Sequence, residues 1–290
     1  MHSRKLCGAG CGMLGRVTNT RTRESAAFLA EPGIHEQWES AYLNQDLDRF
    51  YERAFGLVSD RLAAGHAGSI LDAGCGYCIH AARLARHGFR VTGVDFSVSA
   101  LTAASEYLKR QGLEDSITLK QGDLLALPFA DGQFEGVTCW GVLMHIFELE
   151  TALLELARVL APGGRLVIME NNAASLHVQL WEPTLRVVKR CLGHKLTEMQ
   201  RTPRGIEEWR QGDGGGLLVR KTDIDWLVAF LGRHHVHLVE RCAGQFTELY
   251  TSLHFNALKR LVCRLNEAWF DHGGSARLAL GNILVFEKHG

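Results

Sequence analysis

Asp72, Gly74, Gly76 and Asp95 are the residues of this 290-residue chain whose types and spacing best fit a chemical purpose. An apolar pair, Ile70-Leu71, runs into Asp72, the two glycines follow, and a helical pattern begins beyond them. Glycines between a strand and a helix let backbone N–H groups approach a ligand that a Cβ would hold away. About twenty residues further on, the run from Phe89 to Val94 ends in Asp95, where a carboxylate can accept hydrogen bonds from a ribose. The dinucleotide fingerprint asks for a third glycine opening the helix, and here Tyr77, Cys78 and Ile79 stand instead. Gly122-Asp123 closes a third apolar run in the same manner as Asp95 closes the second.

The elements that must position these residues follow from the pattern of the chain. Strands are expected at Ser69 to Ala73, up to Asp95, at Ser116 to Gln121, at Phe134 to Trp140 and at Arg165 to Glu170. Helices are expected between them. One runs from about Cys78 to His87 with Gly88 after its end, and one is capped by Ser97 with Val98, Leu101 and Leu108 on one face. A third carries the stripe Leu149, Leu153, Leu156 and Leu160 and stops at Pro162-Gly163-Gly164. Strands alternating with helices imply an α/β fold, a doubly wound and mostly parallel sheet with helices on both faces.

The glycine turn, Asp72 before it, Gly122-Asp123, and Leu160-Ala-Pro-Gly-Gly-Arg-Leu-Val-Ile168 together resemble the class I S-adenosylmethionine (SAM)-dependent methyltransferases. The resemblance is to the broad small-molecule group that includes the ubiquinone-biosynthesis type. It covers about residues 65 to 170, with a weaker C-terminal echo. It implies a seven-stranded, Rossmann-like methyltransferase fold with a partial helical cap, with SAM as cofactor. Asp72 is then expected to meet the ammonium of the methionine tail, with Gly74 and Gly76 bringing the backbone to that end. Asp95 is expected on the ribose hydroxyls and Phe96 on the adenine face. Asp123 is expected at the adenine amino group, the Leu124 backbone beside the ring, and Trp140 along the tail pocket.

On the acceptor side, His145 in Leu143-Met144-His145-Ile146 is the expected base, because an oxygen acceptor must lose a proton and histidine accepts one near neutral pH. Glu170 is a second candidate base, and His80 opens the first helix of the fold near the cleft. Tyr42, with Trp38, is an aromatic candidate for closing the site, and Asn171 and Asn172 are candidates to hydrogen-bond a polar substrate. Cys139-Trp140-Gly141-Val142 stands where methylators of base amines carry Asn or Asp, Pro-Pro and an aromatic residue, which argues against a nucleobase acceptor. The expected acceptor is a small or medium organic molecule methylated at oxygen. The competing readings are a non-catalytic SAM-binding protein and a nicotinamide-dependent dehydrogenase.

The remaining chain is read as accessory. Residues 1 to 30 are expected to be a disordered lead, and 31–290 one methyltransferase domain. Its core is 65–170 and 222–290, and its cap segments are 31–64, 171–221 and 251–281. The cap segment at 171–221 should hold one helix, about Leu176 to Cys191, interrupted near Pro183, and then a loop-like stretch. Thr222 should cap the next helix, ended by Gly232. Strands at His237 to Tyr250 and Asn282 to Lys288 should enclose an inserted helix with Leu258, Leu261, Val262, Leu265 and Trp269 on one side. The 171–221 segment is richer in Lys and Arg than in Asp and Glu, which favours a polar or anionic acceptor. Over the whole chain, 32 basic residues balance 32 acidic ones, so bulk charge makes no case for nucleic acid. No apolar run is long enough to span a membrane. Cys75 and Cys78 form a C-x-x-C, but no second pair at zinc-finger spacing accompanies them. The eight cysteines are expected to be ordinary thiols in the cytoplasm, with no metal bound.

Overall fold

The computed structural model describes Ser25, Phe28 and residues 45–290, apart from 194–195 and 213–214. Helix α1, Gln45–Ala64, leads into strand β1, Ser69–Ala73, and helix α2, Ile79–Arg86. Strand β2, Arg90–Asp95, helix α3, Val98–Gln111, and strand β3, Ile117–Gln121, continue the alternation. Strand β4, Phe134–Trp140, is followed by a single turn at Leu143–His145, helix α4, Leu149–Val159, and strand β5, Leu160–Asn171. The order in the sheet is β3-β2-β1-β4-β5, with every one of these neighbours parallel. Beyond β5 come strand β10, Gly281–Lys288, antiparallel to both its neighbours, and at the edge strand β9, Val236–Ala243. This is the seven-stranded, mostly parallel and doubly wound sheet expected.

The two faces of the sheet bury alternate residues of each strand, as the period of two requires. Leu71, Val137, Leu166, Ile168, Leu284 and Phe286 point to one face, where α4 and helix α6, Ile224–Gly232, cover them. Ile70, Val91, Val167, Ile283 and Val285 point to the other, beneath α1, α2 and α3. Ser97 caps α3 as expected, its Oγ accepting from the Ala100 N–H at 3.3 Å. Val98 does not join the apolar face of that helix; it is 61 % exposed.

The segment 171–221 differs most from expectation. Its helical part is split into a wide turn at His177–Trp181 and helix α5, Glu182–Cys191, with Pro183 in the first turn of α5, where its missing N–H costs nothing. The stretch expected as loop is a three-stranded antiparallel sheet: β6, Met199–Thr202, β7, Gly205–Gly212, and β8, Gly215–Thr222. Thr222 therefore ends a strand, and Asp223 caps α6 by accepting from Trp226 N–H at 2.9 Å. The α4 stripe also stops earlier than the Pro-Gly-Gly motif, since Leu160 already belongs to β5 and the motif lies inside that strand. The first of the two C-terminal strands ends at Ala243 rather than Tyr250.

The inserted helix α7, Asn256–Asp271, is turned relative to its expected face. Cys263 and Asn266 are its buried residues, while Leu258, Leu261 and Leu265 are exposed. The Asn266 amide accepts from Thr247 N–H at 3.0 Å and donates to Thr247 O at 2.9 Å, tying α7 to the loop after β9.

Candidate active site

The chain leaves β1 toward one edge of the sheet and β4 toward the other, and this switch point opens a crevice at the carboxyl ends of the strands. Asp72 ends near the crevice from β1, Asp95 from β2, Trp140 from β4 and Asn171 from β5, while Asp123 follows β3. The structure thus brings these sequence-predicted residues to one rim.

The glycine turn is held by Gly74 N–H and Cys75 N–H, which both donate to Val94 O, at 2.8 and 3.0 Å. Gly74 has φ +77°, and a Cβ there would lie 2.6 Å from the Val142 side chain. At Gly76, φ +51°, a Cβ would meet nothing within 4 Å. Cys78, standing where the third glycine is missing, adopts the left-handed conformation itself at φ 59°. The turn keeps its geometry at a strain of about 1–2 kcal/mol. The Cys75 and Cys78 thiols sit together against Gly93. The hydrogen bond with Cys78, then burial, holds the Cys75 thiol well above the ordinary thiol range. No disulfide forms among the described cysteines, and Cys7 and Cys11 lie outside the described residues.

Asp72 is buried, accepts from the Thr138 hydroxyl at 3.0 Å through Oδ1, and leaves Oδ2 without any hydrogen-bond partner. Burial, reinforced by the Asp95 charge, pushes its carboxyl up to about 6, against the Thr138 hydrogen bond. An orphaned, buried carboxylate oxygen beside the glycine turn fits a cationic ligand group such as the ammonium of a methionine tail. Asp95 accepts from Gly76 N–H and Ser97 N–H, each at 2.9 Å, so it also braces the turn. Asp123 is exposed, and its Oδ1 caps its own turn from Leu125 N–H at 2.9 Å. Leu124 is buried with its side chain in the core, and Phe96 is half-buried at the rim. Trp140 is packed on Phe55, ring centroids 4.7 Å apart, and its indole N–H is buried without an acceptor.

His145 lies in the turn after β4, and its Nδ1 meets the Leu218 carbonyl of β8 at 2.7 Å. A carbonyl only accepts, so Nδ1 carries the proton and Nε2 is the basic nitrogen. Burial lowers its pKa to about 4; the Leu218 hydrogen bond opposes this and the Arg210 and Arg220 charges add to it. The Ser25 hydroxyl donates to the His145 carbonyl at 3.1 Å, and both Ser25 and Phe28 are helical; the rest of the lead expected to be disordered lies outside the described residues. Tyr42 and Trp38 lie outside the described residues.

Sequence reasoning missed the network beneath the small sheet. Arg220 is fully buried, donates from Nη1 to the carbonyls of Leu143 and Ile146 at 3.1 and 2.9 Å, and from Nε to Glu207 at 3.0 Å. The guanidinium thereby holds the turn that carries His145. Glu170 is also fully buried, accepts from the Thr222 hydroxyl at 2.7 Å, and is pushed up to about 7, chiefly by burial. Asn172, expected at the substrate, is a structural tie instead: its amide donates to Arg277 O and Ala279 O and accepts from Ala174 N–H. Asn171 stays half-buried at the rim, its amide near Met144 Sδ. One further grouping, His177, Glu182 and Glu248, has ligand atoms close enough to share an ion. There the Lys221 ammonium, 3.0 Å from Glu182, supplies the positive charge. No helix among the described residues is long and apolar enough to cross a membrane.

Residues 71–168 match the family model described as a methyltransferase domain. The methyltransferase GfsG of Streptomyces halstedii is 37 % identical over 122 residues, 41 % of this chain and 43 % of that protein. The O-methyltransferase resE of Aspergillus sclerotiorum is 32 % identical over 134 residues, 46 % of this chain and 51 % of the relative. The chain therefore spans about half the length of these relatives. Among solved structures, the [4+2]-cyclase SpnF shares the fold at a TM-score of 0.53 and 21 % identity, covering 82 % of this chain and 80 % of its own. Strands β2 to β4, the glycine turn and the buried carboxylate of Asp72 lie within the matched residues 71–168, where the chain is similar to a methyltransferase domain.

Proposed function

We propose that the protein transfers a methyl group from SAM to a small or medium organic acceptor, at oxygen. The observation that carries this reading is Asp72, buried with Oδ2 unpartnered beside the glycine turn. When bound, the sulfonium supplies an already electrophilic methyl, so the protein's work is alignment, exclusion of water and proton management. Asp72 holds the tail ammonium, Asp95 and Asp123 hold the ribose and adenine edges, and Trp140 closes the tail pocket. His145 accepts the acceptor's hydroxyl proton at Nε2, and Asn171 orients a polar group of the acceptor. The O-methyltransferase relative supports oxygen as the methylated atom.

A second reading, a SAM-binding protein without methyl transfer, is favoured by the fold's likeness to a protein solved as a cyclase. Incubation with methyl-labelled SAM and a panel of phenols, alcohols and carboxylic acids separates the two. Label in an acceptor, with one S-adenosylhomocysteine formed per methyl, supports transfer. Tight binding of the cofactor with no label in any class contradicts it.

A further inference from the structure

Helix α5 buries none of its ten residues in the protein. A helix of that length is marginal in water on its own, and an amphipathic one gains its stability by laying its apolar side against something. The apolar side of α5 lies in solvent instead. Val187, Val188 and Leu192, with Leu180 and Trp181 of the turn that leads into the helix, are all exposed, Leu192 by 70 %. Arg186, Lys189 and Arg190 take the other side of the helix. Its one acid, Glu182, is bound to the buried Lys221 ammonium at 3.0 Å.

Helix α7 repeats the arrangement. Leu258, Leu261 and Leu265 stand exposed at helical spacing, with the exposed Arg260 and Arg264 beside them. The two acids of α7, Glu267 and Asp271, are paired with Arg49 and Arg53 of α1. Among the described residues Arg260 and Arg264 join no ion pair. One loop ties the two helices together. The Thr247 hydroxyl meets Nδ1 of His177, in the turn before α5, at 2.7 Å, and the Thr247 backbone is bound by Asn266 of α7.

We propose that the exposed faces of α5 and α7 dock on an anionic lipid bilayer, with the apolar side chains entering the interface and the arginines and lysines reaching lipid phosphates. Charge chooses this occupant. A second copy meeting the α7 face across a two-fold axis sets Arg260 and Arg264 against the same arginines, with no unpaired acid of the helix to meet them. A bilayer offers apolar depth and phosphate together, and long cationic stems lie along the boundary between the two. The balanced charge of the whole chain does not oppose this, because attraction to a charged surface acts over about 10 Å. Neither helix is long and apolar enough to cross, so the contact is from one side.

The test is co-sedimentation of the full chain with vesicles of phosphatidylcholine alone and of phosphatidylcholine mixed equally with phosphatidylglycerol, each in low and high salt. The wild type is expected to pellet with the mixed vesicles in low salt, and its affinity to fall about tenfold or more in high salt or without the anionic lipid. Leu261→Ser with Leu265→Ser, Val187→Ser with Leu192→Ser, and Arg260→Gln with Arg264→Gln should each weaken the binding about tenfold or more. All six positions are exposed, so melting curves should stay at the wild-type temperature and separate lost binding from lost folding. A wild type that pellets with neither vesicle overturns the proposal. So does a dimer in sedimentation equilibrium that Leu261→Ser with Leu265→Ser returns to monomer, which gives the face to a second copy. Pelleting that any of the three pairs leaves unchanged overturns the part of the surface on which that pair lies.

Discussion

Asp72 is buried, and burial favours its neutral form. Its carboxyl titrates at about 6 in the free protein, so a ligand ammonium that needs the carboxylate binds best above that pH. Affinity for S-adenosylhomocysteine is expected to fall by up to about tenfold per pH unit below about 6. Asp72→Asn should flatten this dependence at the weaker level, as read by titrations from pH 5 to 8. Asp95→Ala should weaken the same ligand by about 1–3 kcal/mol, because ribose hydroxyls and the Gly76 N–H both lose an acceptor. His145→Ala should slow turnover by about 10²- to 10⁴-fold with unchanged cofactor affinity, which single-turnover kinetics beside titration would read. With a pKa near 4, His145 stays unprotonated through the neutral range, so it should impose no acid limb on kcat above about pH 5. The places of Asp72 and Asp95 at the ends of β1 and β2 were legible because a glycine turn and strand-end acids must fall at fixed intervals in a βαβ unit. Asn172 was misread because an asparagine at a strand end looks the same whether its amide meets a substrate or, as here, two backbone carbonyls.

At the scale of elements, the small sheet β6-β7-β8 is what the sequence hid. Strands are recognised by alternating or continuous apolar residues, yet β7 and β8 bury Glu207, Arg220 and Lys221. The charges that mark these positions as surface pair with one another inside, so the pattern reads as loop. Arg220→Met should destabilise the fold by about 3 kcal/mol or more, because Glu207 is left buried with one fewer cation and two carbonyls of the His145 turn lose their donor. Denaturant unfolding measures this, and adding Glu207→Leu should return part of the loss. Glu170 at the same seam has a pKa raised to about 7, above its ordinary 4.5. Folding favours its protonated form, so its contribution is present below pH 4.5 and is lost as pH rises through about 7. Glu170→Gln should therefore remove about 1–3 kcal/mol of the stability lost between pH 4.5 and 8, visible in melting curves across that range. The parallel core, by contrast, was readable strand by strand, because strands buried on both faces form short apolar runs bounded by turns. The orientation of α7 was not readable, because a leucine stripe looks the same in the sequence whether it faces the core or, as with Leu258, Leu261 and Leu265, stays exposed.

For the whole molecule, the seven-stranded sheet carries the glycine turn, and the separate sheet β6-β7-β8 meets it at the turn after β4. Arg220 and Leu218 of the small sheet hold that turn through the Leu143 and Ile146 carbonyls and His145 Nδ1. The central claim, that the crevice is a site for the adenosyl methyl donor, is tested most directly by calorimetry with S-adenosylhomocysteine, with NAD in a parallel cell. The account predicts micromolar binding of S-adenosylhomocysteine and no heat with NAD, and absence of S-adenosylhomocysteine binding, or binding of NAD in its place, would contradict it.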